Sequence, residues 1–185
     1  MRLSEIDYRS LSCFRISFAL ILLLETIVRL TSIEAHYTDF GILPRSSLWF
    51  SRDWWSLHMI SGYLGIQILL FSLTIIASLG LLIGYQTQVM TISLWILMVS
   101  LHNRNPFLLQ GGDTLTRMLL FWCIFLPLGR LYSVDAYQSR SEENDSYEEK
   151  QSSFRSMASL AILIQVAIVY LLAAIEKKGL AWQKG

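Results

Sequence analysis

The stretch GYLGIQILLFSLTIIASLGLLIGYQTQVMTISLWILMVSLHN, residues 62–103, decides the fold. It lies in a run of fifty residues, between Asp53 and Arg104, that holds no Asp, Glu, Lys or Arg. A helix needs about 20 apolar residues to cross roughly 30 Å of hydrocarbon, so the run accommodates two crossings joined by the uncharged turn 84–88. The predicted spans are 63–83 and a shorter one, 89–101. Gly80 and Gly84, four residues apart, would let a neighbouring helix approach closely.

Downstream, a second charge-free gap of twenty residues separates Arg155 from Glu176 and predicts a span over 157–175. Upstream, 11–30 reads as an uncleaved first span, because Arg15, Glu25 and Arg29 punctuate it and no small-residue cleavage site follows. Residues 114–128, with Pro127 near their end, complete the set. The predicted fold class is all-α: a polytopic transmembrane helical bundle of about five spans, forming a single domain over 1–185 without internal repeats. Composition agrees, with 54% hydrophobic and only 16% charged residues against roughly 25% in soluble domains. That balance excludes a soluble enzyme, a secreted disulfide scaffold and a disordered chain. Fifteen basic against fourteen acidic residues leave no cationic excess for nucleic acid. Cys13 and Cys123 both sit in apolar stretches, and no disulfide is expected.

The connecting segments carry the polar chemistry. The first loop runs through His36, Asp39, Pro44, Arg45 and Arg52 to Trp49, Phe50, Trp54 and Trp55, aromatic residues of the kind that mark a lipid–water boundary. In 102–113, Pro106 and the pair Gly111-Gly112 are expected to break the helix, and Asp113 to cap the next one, four residues before Arg117. Residues 139–153, with five acidic side chains among serines, read as a solvated loop. Five crossings put His36, His58, His102, Asn103, Asn105, Asp113, Lys177 and Lys178 on one face of the membrane. Seven Lys or Arg lie on the N-terminal side and eight on the other, a count that does not orient the chain.

An ionisable group near the bilayer centre costs at least about 2.5 to 3.5 kcal/mol on insertion scales, so each one needs an explanation. Glu25 and Arg29 either pair along one helix face or turn Glu25 into a cavity of the bundle. Asp113 with Arg117 has the same two readings. Lys177 and Lys178, at a helix C-terminus near Trp182, suit an interfacial anchor. The histidines lack an i, i+4 pairing and no cysteine lies near them, so no metal site is expected. Gly111-Gly112 lacks the Lys and Ser/Thr of a phosphate-binding loop.

Several segments in order resemble one family. They are Phe14-Arg15 at the first span, Tyr37-Thr38-Asp39-Phe40-Gly41-Ile42-Leu43-Pro44 in the first loop, and Leu79-Gly80-Leu81-Leu82-Ile83-Gly84 at the end of the second span. Arg104-Asn105-Pro106 with Gly111-Gly112-Asp113 follow, then Phe125-Leu126-Pro127-Leu128-Gly129 with Ser133-Val134-Asp135, and finally Val169-Tyr170, Lys177 and Trp182. With these pieces the chain resembles the HTTM domain, the membrane domain related to the vitamin K-dependent gamma-carboxylases. The resemblance implies a multi-pass protein of the cell membrane, in bacteria the inner membrane. It further implies reduced vitamin K or another quinol as cofactor, and carboxylation of the γ-carbon of a peptide glutamate with oxygen and carbon dioxide. Lys177 matches the lysine that deprotonates the quinol, and a neutral Lys177 is favoured by burial and by Lys178 beside it. Tyr170, Arg15, Glu25, His102, Asn103, Asn105 and Asp113 are the candidate pocket residues. The chain departs from animal carboxylases at Gly112, where an ungapped alignment places a histidine, and it stops at Gly185, before the family's further helices and lumenal β-rich region. The alternative expectation is a non-catalytic membrane module, or a truncated domain, that binds a protein or lipid partner.

Overall fold

A computed structural model describes residues 5–48, 54–142 and 153–176. Among them the chain is mostly helical: α1 (Tyr8–Leu30), α2 (Ile33–Tyr37), α3 (Leu64–Ile83), α4 (Thr87–Arg104), α5 (Gly111–Cys123), α6 (Val134–Glu142) and α7 (Met157–Glu176). Three of these helices, α1, α3 and α7, are long and apolar enough to cross a membrane. The sequence placed five spans. Helix α5 runs for only 13 residues, and α4, 18 residues long, carries polar side chains at its start and His102, Asn103 and Arg104 at its end.

Each boundary has a local cause. Asp7 caps α1, its Oδ1 accepting the Arg9 N–H at 2.7 Å. Helix α3 ends at Gly84, which adopts the left-handed conformation (φ 77°) that closes a helix at little cost only for glycine. Helix α4 extends two residues before and three beyond its predicted span, because nothing in His102, Asn103 and Arg104 opposes helical backbone. The glycines expected to break the chain instead open α5. Its N-cap is Gln110, not Asp113: the Asp113 carboxylate reaches back to the Gln110 N–H at 2.8 Å and completes a capping box.

Helices α1 and α3 pack antiparallel, α4 folds back on α3, α5 lies on α4, and α7 leans on α5. The interior is lined by Phe18, Leu22, Phe71, Leu81, Leu94, Met98, Leu101 and Leu120. Buried hydroxyls in these helices bond their own backbone one turn back, Thr26 to Leu22 O, Ser78 to Thr74 O and Thr91 to Thr87 O, which satisfies them without a partner helix. A short antiparallel ribbon pairs β1 (Glu5–Asp7) with β2 (Ser153–Arg155) and ties the start of α1 to the start of α7. The segment expected to be a solvated loop therefore begins as helix α6 and ends in β2, and 143–152 lie outside the described residues.

At the end where α1 and α7 begin, Arg15 and the segments around Gly84 and Asp135 build one corner. Arg15, fully buried, donates from Nη2 to Tyr132 O at 2.6 Å and from Nη1 to Leu81 O at 3.4 Å. A Cβ on Gly84 would collide with the Arg15 guanidinium. Asp135 caps α4 by accepting from Gln86 N at 2.6 Å and Thr87 N at 2.8 Å. A Cβ on Gly80 would press on the Met90 side chain, so the small-residue spacing does admit the next helix.

Candidate functional site

The opposite end gathers ionisable groups from four helices. Glu25 and Arg29 lie one turn apart on α1, and Arg29 Nε donates to Glu25 Oε1 at 3.0 Å. The same guanidinium donates from Nη2 to Asp113 Oδ1 at 2.9 Å and from Nη1 to the Tyr37 hydroxyl at 3.1 Å. His102, on the last turn of α4 and fully buried, places Nε2 3.3 Å from Glu25 Oε1 and 4.0 Å from Asp113 Oδ1. A carboxylate oxygen only accepts, so the proton of a neutral His102 sits on Nε2, and Nδ1 is buried without a partner among the described residues. Glu25 and Arg29 thus pair along α1, and Glu25 also meets His102 from α4. The other expected pair does not form. Arg117 makes no ion pair among the described residues, because the capping box turns Asp113 Oδ1 toward Arg29.

A second layer braces the first. Asp39 takes a forked contact from Arg45, with Nε at 2.9 Å and Nη2 at 2.6 Å from Oδ2, and this hydrogen bonding holds its carboxyl below the ordinary range. Arg45 also donates to Met59 O and Ile60 O, which clasps the first loop to the entry of α3. Arg104, fully buried, donates from Nη2 to Leu43 O at 3.0 Å and Thr38 O at 3.3 Å and lies 3.9 Å from Asp39 Oδ1. His58 Nδ1 lies 2.6 Å from Gln67 Oε1. The Gln67 amide nitrogen donates to His58 O and Ser61 O, so its oxygen must be the acceptor and His58 carries its proton on Nδ1. Burial pushes the His58 pKa down to about 4, so its imidazole stays neutral.

Tyr37 joins the layers. Its hydroxyl meets Arg29, and its ring packs edge-on against Phe71 at 5.2 Å and tilted against His58 at 6.3 Å. Burial raises the Tyr37 pKa, so the phenol remains protonated.

The remaining candidates fall in different places. Asn103 Nδ2 donates to Trp55 O at 2.8 Å and Asn105 Nδ2 to His36 O at 3.2 Å, so both hold loops over the cluster. Arg15 lies in the corner at the other end. Tyr170 is 73% exposed on α7, whose side chains from Ala167 to Ile175 are all exposed, and it does not join the cluster. Lys177, Lys178, Trp182, Trp49 and Phe50 lie outside the described residues. Sequence reasoning missed Tyr37 and Arg104 as members of the site. Both stood in quoted segments, but their partners are 8 and 66 residues away, and periodicity does not register such pairs.

Although no metal site was expected, Glu25, His102 and Asp113 bring three ligand-type atoms within 4.8 Å of one another. Arg29 Nη2 sits on both carboxylates at 2.9 and 3.0 Å, so the cation that this arrangement holds is the guanidinium. Toward a phenolic hydroxyl such as a quinol's, the oxygens of Glu25 and Asp113 are acceptors, while His102 directs its Nε2–H at Glu25 and would act as a donor. Comparison with family models, curated proteins and solved structures finds no match to this chain.

Proposed function

We propose that the chain is a multi-pass membrane protein, crossing the bilayer about five times, whose ionic cluster serves proton transfer on a membrane-dissolved quinol in a reaction of the gamma-carboxylase type. Two further crossings would come from α4, about 27 Å long at 1.5 Å per residue, and from α5. Three-residue backbone bonds carry α5 on to Leu126. The site of action would be the cell membrane, in bacteria the inner one.

One observation carries the reading: the buried His102 meets Glu25 while Arg29 ties Glu25 to Asp113, so four ionisable groups from three helices converge at one end of an apolar bundle. Such groups within a membrane protein are functional by default, since each is costly to insert. In this reading Glu25 and Asp113 accept hydrogen bonds from the quinol, His102 moves a proton to or from Glu25, and Arg29 with Tyr37 fixes both carboxylates. Lys177, the residue after α7, would be the base. Reduced vitamin K or another quinol, when bound, supplies with oxygen the basicity that removes a γ-proton from a peptide glutamate. One observation favours the rival reading of a non-catalytic module for a protein or lipid partner: Arg29 already satisfies both carboxylates, as a purely structural tie would.

The test is quinol consumption by the purified chain in lipid, with oxygen and carbon dioxide supplied. Lys177→Ala should abolish it and Lys178→Ala should only weaken it. Equal, undiminished rates in both variants would leave Lys177 as an anchor.

A further inference from the structure

The segment between α1 and α3 is built to present apolar side chains outward. Phe40 is 84% exposed, Ile42 77% and Ile60 71%, with Trp55 and Tyr63 more than half exposed. These are not the tips of a loose loop. Asp39 N donates to Gly62 O at 3.0 Å, a Cβ on Gly62 would collide with the Asp39 carboxylate, and Arg45 fastens Asp39 to the carbonyls of Met59 and Ile60. Phe40 and Ile42 are therefore held beside Ile60 and Tyr63. From Tyr63 the exposed surface continues without a break down α3 through Ile66, Leu69, Leu73 and Ile76, a helix long and apolar enough to cross a membrane.

We infer that this segment is a cap seated in the bilayer itself, at the boundary between headgroups and acyl chains, and not a loop standing in water. Lipid is the occupant that these observations favour. The patch is continuous with the uncovered face of α3, and Trp and Tyr rings lie among its aliphatic residues as they do at membrane interfaces. Of its nearby charges, Asp39 and Arg45 are paired with each other, and Glu34, exposed beside Phe40 and Ile42, would lie at the level of the headgroups. An aqueous loop would leave these apolar surfaces in water, against the rarity of large exposed apolar patches on soluble surfaces. The inner side of the same segment carries Tyr37, whose hydroxyl meets Arg29, so the cap joins the lipid boundary to the ionic cluster through α2.

The test uses the full chain in phospholipid nanodiscs, with both faces open to solvent. Single cysteines at Phe40, Ile42 and Ile60, and at Gln138 on α6 as a water-facing reference, are introduced on a Cys13→Ser, Cys123→Ala background and labelled with an environment-sensitive fluorophore. At positions 40, 42 and 60, quenching by aqueous iodide should be several-fold weaker than at 138, and quenching by lipids carrying a shallow acyl-chain nitroxide should be strong. Three separate positions guard against one label disturbing the cap. Iodide quenching equal to that at 138, with no lipid quenching, would overturn the inference and leave the patch to a protein partner in solution.

Discussion

Arg29 Nη2 donates to Asp113 Oδ1 at 2.9 Å across 84 residues of sequence, and this contact fixes the start of α5 against the end of α1. The guanidinium cannot leave without exposing two carboxylates to each other in a poorly solvated place. Removing one partner of such a pair typically costs more than the pair itself contributes, because the remaining charge is stranded.

Arg29→Met should therefore destabilise the chain by about 3 kcal/mol. Asp113→Asn, which keeps part of the capping box and leaves one carboxylate for Arg29, should cost about half as much. Thermal unfolding in detergent measures both. Equal, negligible losses would show that the cluster is too well hydrated to hold the helices together.

At the other end, two glycines of different setting make a paired prediction. Gly84 has φ 77° and no room beside Arg15, whereas Gly111 opens α5 with nothing near its missing side chain. Gly84→Ala should destabilise by about 2 kcal/mol or more, while Gly111→Ala should be neutral or stabilising by up to about 1 kcal/mol. Reversal of that order would contradict the corner built by Arg15, Ser133 and Asp135.

The third prediction concerns pH. His58 is held near a pKa of 4 by burial, against roughly 6.5 in an unfolded chain. Between those values the unfolded state binds more protons, so stability is full above about pH 6.5 and falls as the pH drops toward 4. Its share of the loss between pH 7 and pH 5 is about 2 kcal/mol. Unfolding of wild type and His58→Asn at both pH values isolates it. An identical pH dependence in the two would show that His58 does not titrate as placed.

A fourth prediction concerns sidedness. Five crossings require that cysteines at His36 and Asn103 label from one side of the membrane and one at Gln138 from the other. Labelling of Asn103 and Gln138 from the same side would remove the crossing proposed for α5.

The sequence made α3 and α7 legible because a long charge-free apolar run has few other homes, and α1 through the apolar stretch 16–24 between its charges. The ends of α4 and α5 were misplaced for a definite reason: Gly111 and Gly112 are poor helix formers, yet a capping box and the Arg29–Asp113 contact outweigh their intrinsic preference. Glu25 and Arg29 were readable as a pair from their spacing. Tyr37 and Arg104 were not, since their roles depend on which loops the bundle brings together. His102 was a candidate from its residue type, but its meeting with Glu25 follows from α1 and α4 both packing on α3 and from no local signal.

The central claim, that the Glu25–His102–Asp113 cluster works as a proton-transfer site for a quinol, is tested most directly by the quinol oxidation rate of Glu25→Gln in lipid. Glutamine keeps the shape and a hydrogen-bond acceptor for Arg29 and His102 but cannot take a proton. The account predicts a rate at least about 100-fold below wild type, with unfolding shifted far less than in Arg29→Met. A Glu25→Gln protein that oxidises quinol at the wild-type rate, or a wild type with no quinol-dependent chemistry under any acceptor supplied, would contradict it and leave the cluster as a structural tie between helices.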